Sequence, residues 1–328
     1  MKDYKHLLAL FLNHLEKHQS GLSGKQPKEL YEPEHYILSL GGKRLRPLLA
    51  LVACDLFDKE PKLALHSAMA VELFHNFSLI HDDILDAAPL RRNKETVHIK
   101  WNTNIAILSG DVMMVKAFQV LEHYKNSQYK KLNTVFSATA IEVCEGQQMD
   151  MNFENSKSVS VSDYLHMISF KTAVLLGCSL KMGAINASAG KKDQAYLYEF
   201  GKHLGIAFQL LDDMLDAFAQ DSEKFGKQPG GDIVANKNTF LLLKSMELAN
   251  KTQKEELSKL LKLPAKEASK KIKGMMKIYM ELGVQQLCLN EADKHTAIAI
   301  DFLMKVDASK SKKEKLKNFA LELLNRQI

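Results

Sequence analysis

Apolar residues recur at three- and four-residue spacing along nearly the whole chain, as in Leu48, Leu49, Val52 and Leu56 and again in Phe200, Leu204, Ala207 and Leu211. That is the period of a helix face, and the strict alternation of a half-buried strand is almost absent. The pattern predicts an all-α protein. Breaks are expected at residues 21–27, 41–47, 89–93, 152–162, 189–193 and 222–236, where glycine, proline and small polar residues gather. None of these is long enough to be a linker, so residues 1–328 read as a single domain, one large bundle of roughly ten or more helices.

Two segments, Ile105–Val120 and Lys171–Ala187, are apolar on more than one side. A helix that is apolar all round must be buried all round, which places these in a central bundle or at a subunit interface. No uninterrupted apolar run reaches the roughly 18 residues of a membrane span. Asn13 and His14 interrupt the apolar stretch at the N-terminus, which reads as an amphipathic helix and not as a signal peptide. The expectation is a soluble, cytoplasmic protein with no stable membrane insertion.

Composition adds bounds more than direction. A 46% hydrophobic content over 328 residues is ample for a core. The net charge of +6 arises from 45 basic and 39 acidic residues that are largely intermixed. The lysine-rich runs Lys251–Lys277 and Lys305–Lys317 read as solvated helix faces, and no basic-aromatic pattern points to a nucleic-acid partner. Cys54, Cys144, Cys178 and Cys288 are scattered, which argues against a zinc site or a disulfide framework and fits a reducing cytoplasm.

The chemistry is carried by two copies of Asp-Asp-x-x-Asp: Asp82, Asp83 and Asp86, then Asp212, Asp213 and Asp216. On a helix, positions four apart share a face, so Asp82 stands beside Asp86 and Asp212 beside Asp216. Like charges at that spacing repel, and a cation would relieve them. Magnesium takes oxygen ligands, keeps several waters and is held by one or two carboxylates plus phosphate oxygens. Two such helices facing one another across a cavity would clamp a diphosphate.

Cations accompany both motifs. Gly41-Gly42-Lys43-Arg44-Leu45-Arg46-Pro47 delivers three basic residues at a turn before a helix, a setting that brings amides and guanidinium groups to phosphate. Arg91 and Arg92 follow the first motif; Lys227 and Lys237 follow the second. His75 lies seven residues before Asp82, two turns away on nearly the same face.

Together these residues resemble the trans-isoprenyl diphosphate synthases, the polyprenyl synthetase family that includes geranylgeranyl and farnesyl diphosphate synthases. The resemblance runs from about Gly41 to Lys244. It implies the isoprenoid synthase fold, a helical bundle around a central active-site cavity, and a magnesium-dependent trans-prenyltransferase joining isopentenyl diphosphate head-to-tail to an allylic diphosphate. Asp82, Asp86 and Asp212 would bind three magnesium ions, with Asp83, Asp213 and Asp216 in support. Arg91, Lys171, Lys227 and Lys237 would hold the allylic diphosphate, and Lys43, Arg46, His75 and Arg92 the isopentenyl diphosphate. Lys171, Thr172, Gln209 and Lys237 carry the catalytic roles, Thr172 and Gln209 facing the allylic cation. Members are usually homodimers.

In this family the residue five before the first motif sets the pocket floor. Here that is Phe77, followed by Ser78, which argues against products much beyond twenty carbons, and the first motif lacks the two-residue insertion of bacterial farnesyl synthases, which favours a C20 product over C15. A helical wheel instead sets Ser78 and Phe74 beneath Asp82. One departure stands out: Asn93, Lys94 and Glu95 replace the usual glycine-containing turn after the arginines, and asparagine tolerates the left-handed conformation next best after glycine. The alternatives from other classes are a terpene cyclase, which normally has a different second metal motif, and a non-catalytic subunit of a heteromeric synthase, which typically lacks one or both aspartate motifs.

Overall fold

The computed structural model describes residues 2–154, 156, 158–218 and 230–325. Lys227, and with it much of the expected break at 222–236, lies outside the described residues. The chain is all-α as expected, and its strands among the described residues are confined to one two-stranded hairpin. It divides into two compact units. One holds residues up to Ala140, Leu175–Glu199 and Phe302–Phe319; the other holds Ile141–Val174, Phe200–Asp301 and residues from Ala320 onward.

In the first unit, helix α1 (Lys5–Ser20) is the amphipathic helix the N-terminal pattern predicts, burying Leu7, Phe11 and Leu15 at four-residue intervals. After α2 (Lys28–Ser39) comes α3 (Leu45–Leu56), buried without interruption from Pro47 to Cys54. Helix α4 (Leu65–Leu85) packs against α3 and against α6 (Thr103–Gln119). A buried polar chain ties its first turn down. Tyr124 Oη accepts the Ser67 amide at 3.0 Å, Asn186 Nδ2 donates to Ser67 Oγ at 2.7 Å, and Gln128 donates to Asn186 at 2.9 Å. Such a chain is stabilising because every member is satisfied.

Between α4 and α6 the strands β1 (Leu90–Arg91) and β2 (Lys94–Glu95) pair antiparallel, and α5 (Val97–Lys100) follows. The two-residue turn has Arg92 at φ 54° and Asn93 at φ 60°. Both central residues are left-handed, the type I′ geometry that matches strand twist and that asparagine accepts at low cost.

Helix α7 (Asn126–Glu154) and helix α10 (Lys191–Phe218) contribute residues to both units. In the second unit, α8 (Val161–Ile168) opens with a Ser160/Asp163 capping box and runs into a π turn over Ser169–Ala173, which α9 (Val174–Asn186) continues. Helices α11 (Gly231–Val234), α12 (Phe240–Leu248), α13 (Lys251–Leu261), α14 (Ala268–Glu281), α15 (Val284–Lys305) and α16 (Lys310–Asn325) follow. Lys271 on α14 is buried and donates to the Val234 carbonyl at 2.9 Å, closing the C-terminus of α11.

One expectation needs correcting. Three helical stretches, Pro61–Leu85, Thr103–His123 and Val161–Asn186, are long and apolar enough to cross a membrane. Counting uninterrupted apolar runs misses them, because each contains isolated polar residues that a window of that length absorbs. The first and third bury 67% and 78% of their apolar window inside the protein, so core packing accounts for their composition. Thr103–His123 buries only 33% and leaves Ile107, Leu108 and Val115 exposed. The two segments read as apolar on several sides therefore differ: one is core, the other presents an open apolar face.

Candidate active site

The first acidic motif occupies the last turn of α4, and its three carboxylates are sorted by direction. Asp83 turns inward, 1% exposed, and takes a bidentate bond from Arg91, with Nε to Oδ2 at 2.8 Å and Nη2 to Oδ1 at 2.7 Å. Burial pushes the Asp83 carboxyl up, against the pull of Arg91. Asp82 is partly open, and Asp86, the C-cap residue, is exposed. The Asp86 amide donates to the Asp82 carbonyl at 2.9 Å, so the two stand one turn apart. Both sit at the negative end of the helix dipole, which adds to their mutual repulsion and favours a cation there.

The basic turn is sorted in the same way. Arg44, left-handed at φ 47°, points inward: its guanidinium meets Glu72 and the Leu38 carbonyl. Glu72 is itself 2% exposed and also accepts from Asn76 Nδ2 at 2.9 Å. Lys43, on the other side of the turn, is exposed.

Arg46 Nη1 lies 3.3 Å from His75 Nε2, and the Arg46 Nε is buried with no hydrogen-bond partner. Burial, then Arg46 and the other nearby arginines, push His75 well below its ordinary value of 6.5. The imidazole is therefore neutral and accepts from Arg46. Below pH 6.5 the unfolded chain binds a proton at this residue that the native state refuses, so His75 withdraws stability as pH falls.

Arg92 completes this group. Its guanidinium donates to the Gly41 carbonyl and lies over Gly42, where a Cβ would stand 2.8 Å from Nη2. Any side chain at 42 would evict it. Lys43, Arg46, His75 and Arg92, predicted together, do share one neighbourhood of the first unit.

In the second unit Asp212 is partly open, whereas Asp213 and Asp216 are buried. Asp213 accepts from Tyr164 Oη and from Gln209 Nε2 at 2.9 Å, and Thr172 Oγ1 donates to Gln209 Oε1 at 3.2 Å. Burial, and after it Asp232, hold the Asp213 carboxyl well above the usual carboxylate range. Asp216 Oδ2 accepts the Asp232 amide at 2.9 Å and thereby anchors the start of α11.

Lys171 and Thr172 occupy the π turn. Such turns recur at functional sites because the extra residue re-aims side chains. Lys171 Nζ donates to Asp150 Oδ2 at 2.6 Å, and Lys237 Nζ lies 3.4 Å from Glu154 Oε1. Asp150 and Tyr164, which motif reading passed over, thus bond directly to predicted site residues, and Glu72 to Arg44 of the basic turn. The one available signal was Asp150 one turn after Gly146 on a helix of mixed composition.

The polyprenyl synthetase family profile matches residues 27–279. This chain belongs to the polyprenyl synthetase family. It is 41% identical over 224 residues to the geranylgeranyl diphosphate synthase of Methanosarcina mazei, covering 68% of this chain and 69% of the relative. It is 37% identical over 296 residues to that of Sulfolobus acidocaldarius, covering 88% of each. A crystal structure of a geranylgeranyl pyrophosphate synthase superposes with a TM-score of 0.93 at 44% identity, covering 98% of both chains.

As a member of this family the protein is a prenyltransferase. Its donor set fits a hard divalent cation. Among the described residues no three His, Cys, Asp or Glu side chains gather into a complete protein cage. Asp82 and Asp86 offer oxygen donors one turn apart, a partial set that substrate oxygens and water would complete.

The Arg44–Glu72 pair makes a direct prediction. Glu72→Gln leaves a buried guanidinium without its counter-charge and should cost about 3 kcal/mol, read as a lower urea midpoint with unchanged slope. Replacing both residues with Met should cost less than the single change.

Proposed function

We propose that this prenyltransferase condenses isopentenyl diphosphate with allylic diphosphates, head-to-tail and in the E configuration, to give geranylgeranyl diphosphate. The observation that supports this reading is the sorting within each aspartate motif: Asp86 is exposed and Asp82 and Asp212 are partly exposed, while Asp83, Asp213 and Asp216 are buried. Magnesium, three ions per site, would be held by Asp82, Asp86 and Asp212 and would offset the charge growing on the departing diphosphate.

Arg91, Lys171, Lys227 and Lys237 bind that diphosphate and add positive charge where the carbon–oxygen bond breaks. Thr172 and Gln209 turn oxygens toward the allylic cation. Lys43, Arg46, His75 and Arg92 hold isopentenyl diphosphate so that its double bond attacks the allylic carbon, and the released diphosphate accepts the proton. The neutral state of His75 suits a role as hydrogen-bond partner and not as a further cation.

The test is an assay of the purified full chain with labelled isopentenyl diphosphate, an allylic primer and magnesium. Turnover is expected, with kcat falling at least a hundredfold, on the order expected for losing charge stabilisation of the leaving group, in Asp82→Asn and Asp212→Asn. Cyclised hydrocarbon products would point to a terpene cyclase, and inactivity until a second chain is added would point to a non-catalytic subunit.

Product length follows from α4. Ser78 is partly open on the Asp82 stripe; Phe74 below it is wholly buried against Phe136, and Phe77 packs on both Phe74 and His81. A chain growing past Ser78 would meet this aromatic cluster. Phe77→Ala should shift the products beyond twenty carbons, read by chromatography after dephosphorylation. An unchanged distribution would transfer the floor to Phe74.

The same protein is proposed to be a homodimer. Ile107, Leu108 and Val115 form an exposed apolar stripe on α6, of the kind that marks an interaction site. Leu108→Glu combined with Val115→Glu should move the mass in analytical ultracentrifugation from dimer to monomer.

A further inference from the structure

Asp150 lies on α7 one turn after Gly146 and one turn before Glu154, and these three positions share a helix face. That face meets the π turn at very close range: a Cβ at Gly146 would stand 2.2 Å from the Lys171 nitrogen. Only a glycine permits the approach. Gly205 on α10 closes on the same turn, where a Cβ would stand 2.6 Å from the Ala173 Cα. The backbone carrying Lys171 is therefore in close contact with two helices, α7 and α10.

The side chains follow from that placement. The Lys171 ammonium meets Asp150 Oδ2 at 2.6 Å, and the Lys237 ammonium lies 4.0 Å from the same oxygen. Glu154, one turn along, takes Lys237 at 3.4 Å. One carboxylate, its side chain 13% exposed, thus gathers two cations that arrive from separate elements.

We propose that Asp150 is a positioning residue for the allylic half of the reaction, holding Lys171 and Lys237 side by side until the allylic diphosphate takes both over. The assignment rests on the functional reading above. Two ammonium groups brought together repel, and each lysine carries a long chain with much rotamer freedom to lose. A shared carboxylate offsets the repulsion and removes that freedom before substrate arrives, which lowers the ordering cost of binding. A carboxylate serving stability alone would not need to collect two members of one ligand set.

The test is steady-state kinetics on the full chain with magnesium, comparing wild type, Asp150→Asn and Asp150→Glu, with melting curves for each. Asp150→Asn is expected to lower kcat/KM for the allylic substrate about tenfold or more, as misplaced catalytic groups do, while KM for isopentenyl diphosphate stays within about twofold. Asp150→Glu, which keeps the charge, should recover most of the loss. An unaffected Asp150→Asn overturns the assignment. So do equal losses for both substrates, or equal losses in the two variants with unaltered melting. If Asp150→Asn does not fold, Asp150→Glu decides: near-normal allylic kinetics support the role, and a collapse of kcat with intact melting overturns it. An inactive wild-type chain would refute the functional reading and this assignment with it, whereas an active wild type with an indifferent Asp150→Asn refutes this assignment alone.

Discussion

A charged group taken out of water must find its opposite, and in this protein that requirement shapes the surroundings of each functional motif. Glu72 and Asp83 are almost wholly buried, and each is answered by an arginine from a neighbouring segment. Breaking such a pair costs about 3–5 kcal/mol, because the survivor stays buried without its partner. The turn bearing Lys43 and the hairpin bearing Arg92 are therefore pinned by their neighbours in sequence, Arg44 and Arg91. In each, one charge holds the segment in place while its neighbour in sequence is exposed.

The second unit meets the same requirement differently. Asp213 accepts from Tyr164 and Gln209, and burial, then Asp232, raises its carboxyl. The arrangement fixes Gln209, which in turn fixes Thr172 at the π turn. The hydrogen-bond chain converts the burial of one carboxyl into the orientation of two side chains, those of Gln209 and Thr172. Helix geometry alone would not do this, since Lys171 and Thr172 are adjacent and must reach different elements.

Much of this was legible from residue order. The helical period, the amphipathic N-terminal helix and the left-handed tolerance of Asn93 are local properties, set by side chains within a turn or two of one another, and the structure bears them out. The aspartate and arginine motifs were equally visible because their spacing is itself the signal. What spacing could not say is which member of a motif faces in. Asp82 and Asp83 are identical in type and adjacent in sequence, yet one is partly open and the other has 1% of its surface exposed.

Asp150 marks the boundary most clearly. On its own helix it is one acid among several, marked only by Gly146 a turn before it; Lys171 is 21 residues away and Lys237 lies on another segment. The amino-acid sequence by itself determined the fold class and the family and marked out the candidate residues for metal and diphosphate, because each of these is written in periodicity or in short-range spacing. The tertiary structure alone decided which charges serve as buried anchors, which helix turns its apolar face outward, and which carboxylate gathers the two lysines. Those outcomes depend on desolvation and on close approach between segments distant in the chain, and neither quantity exists until the chain has folded.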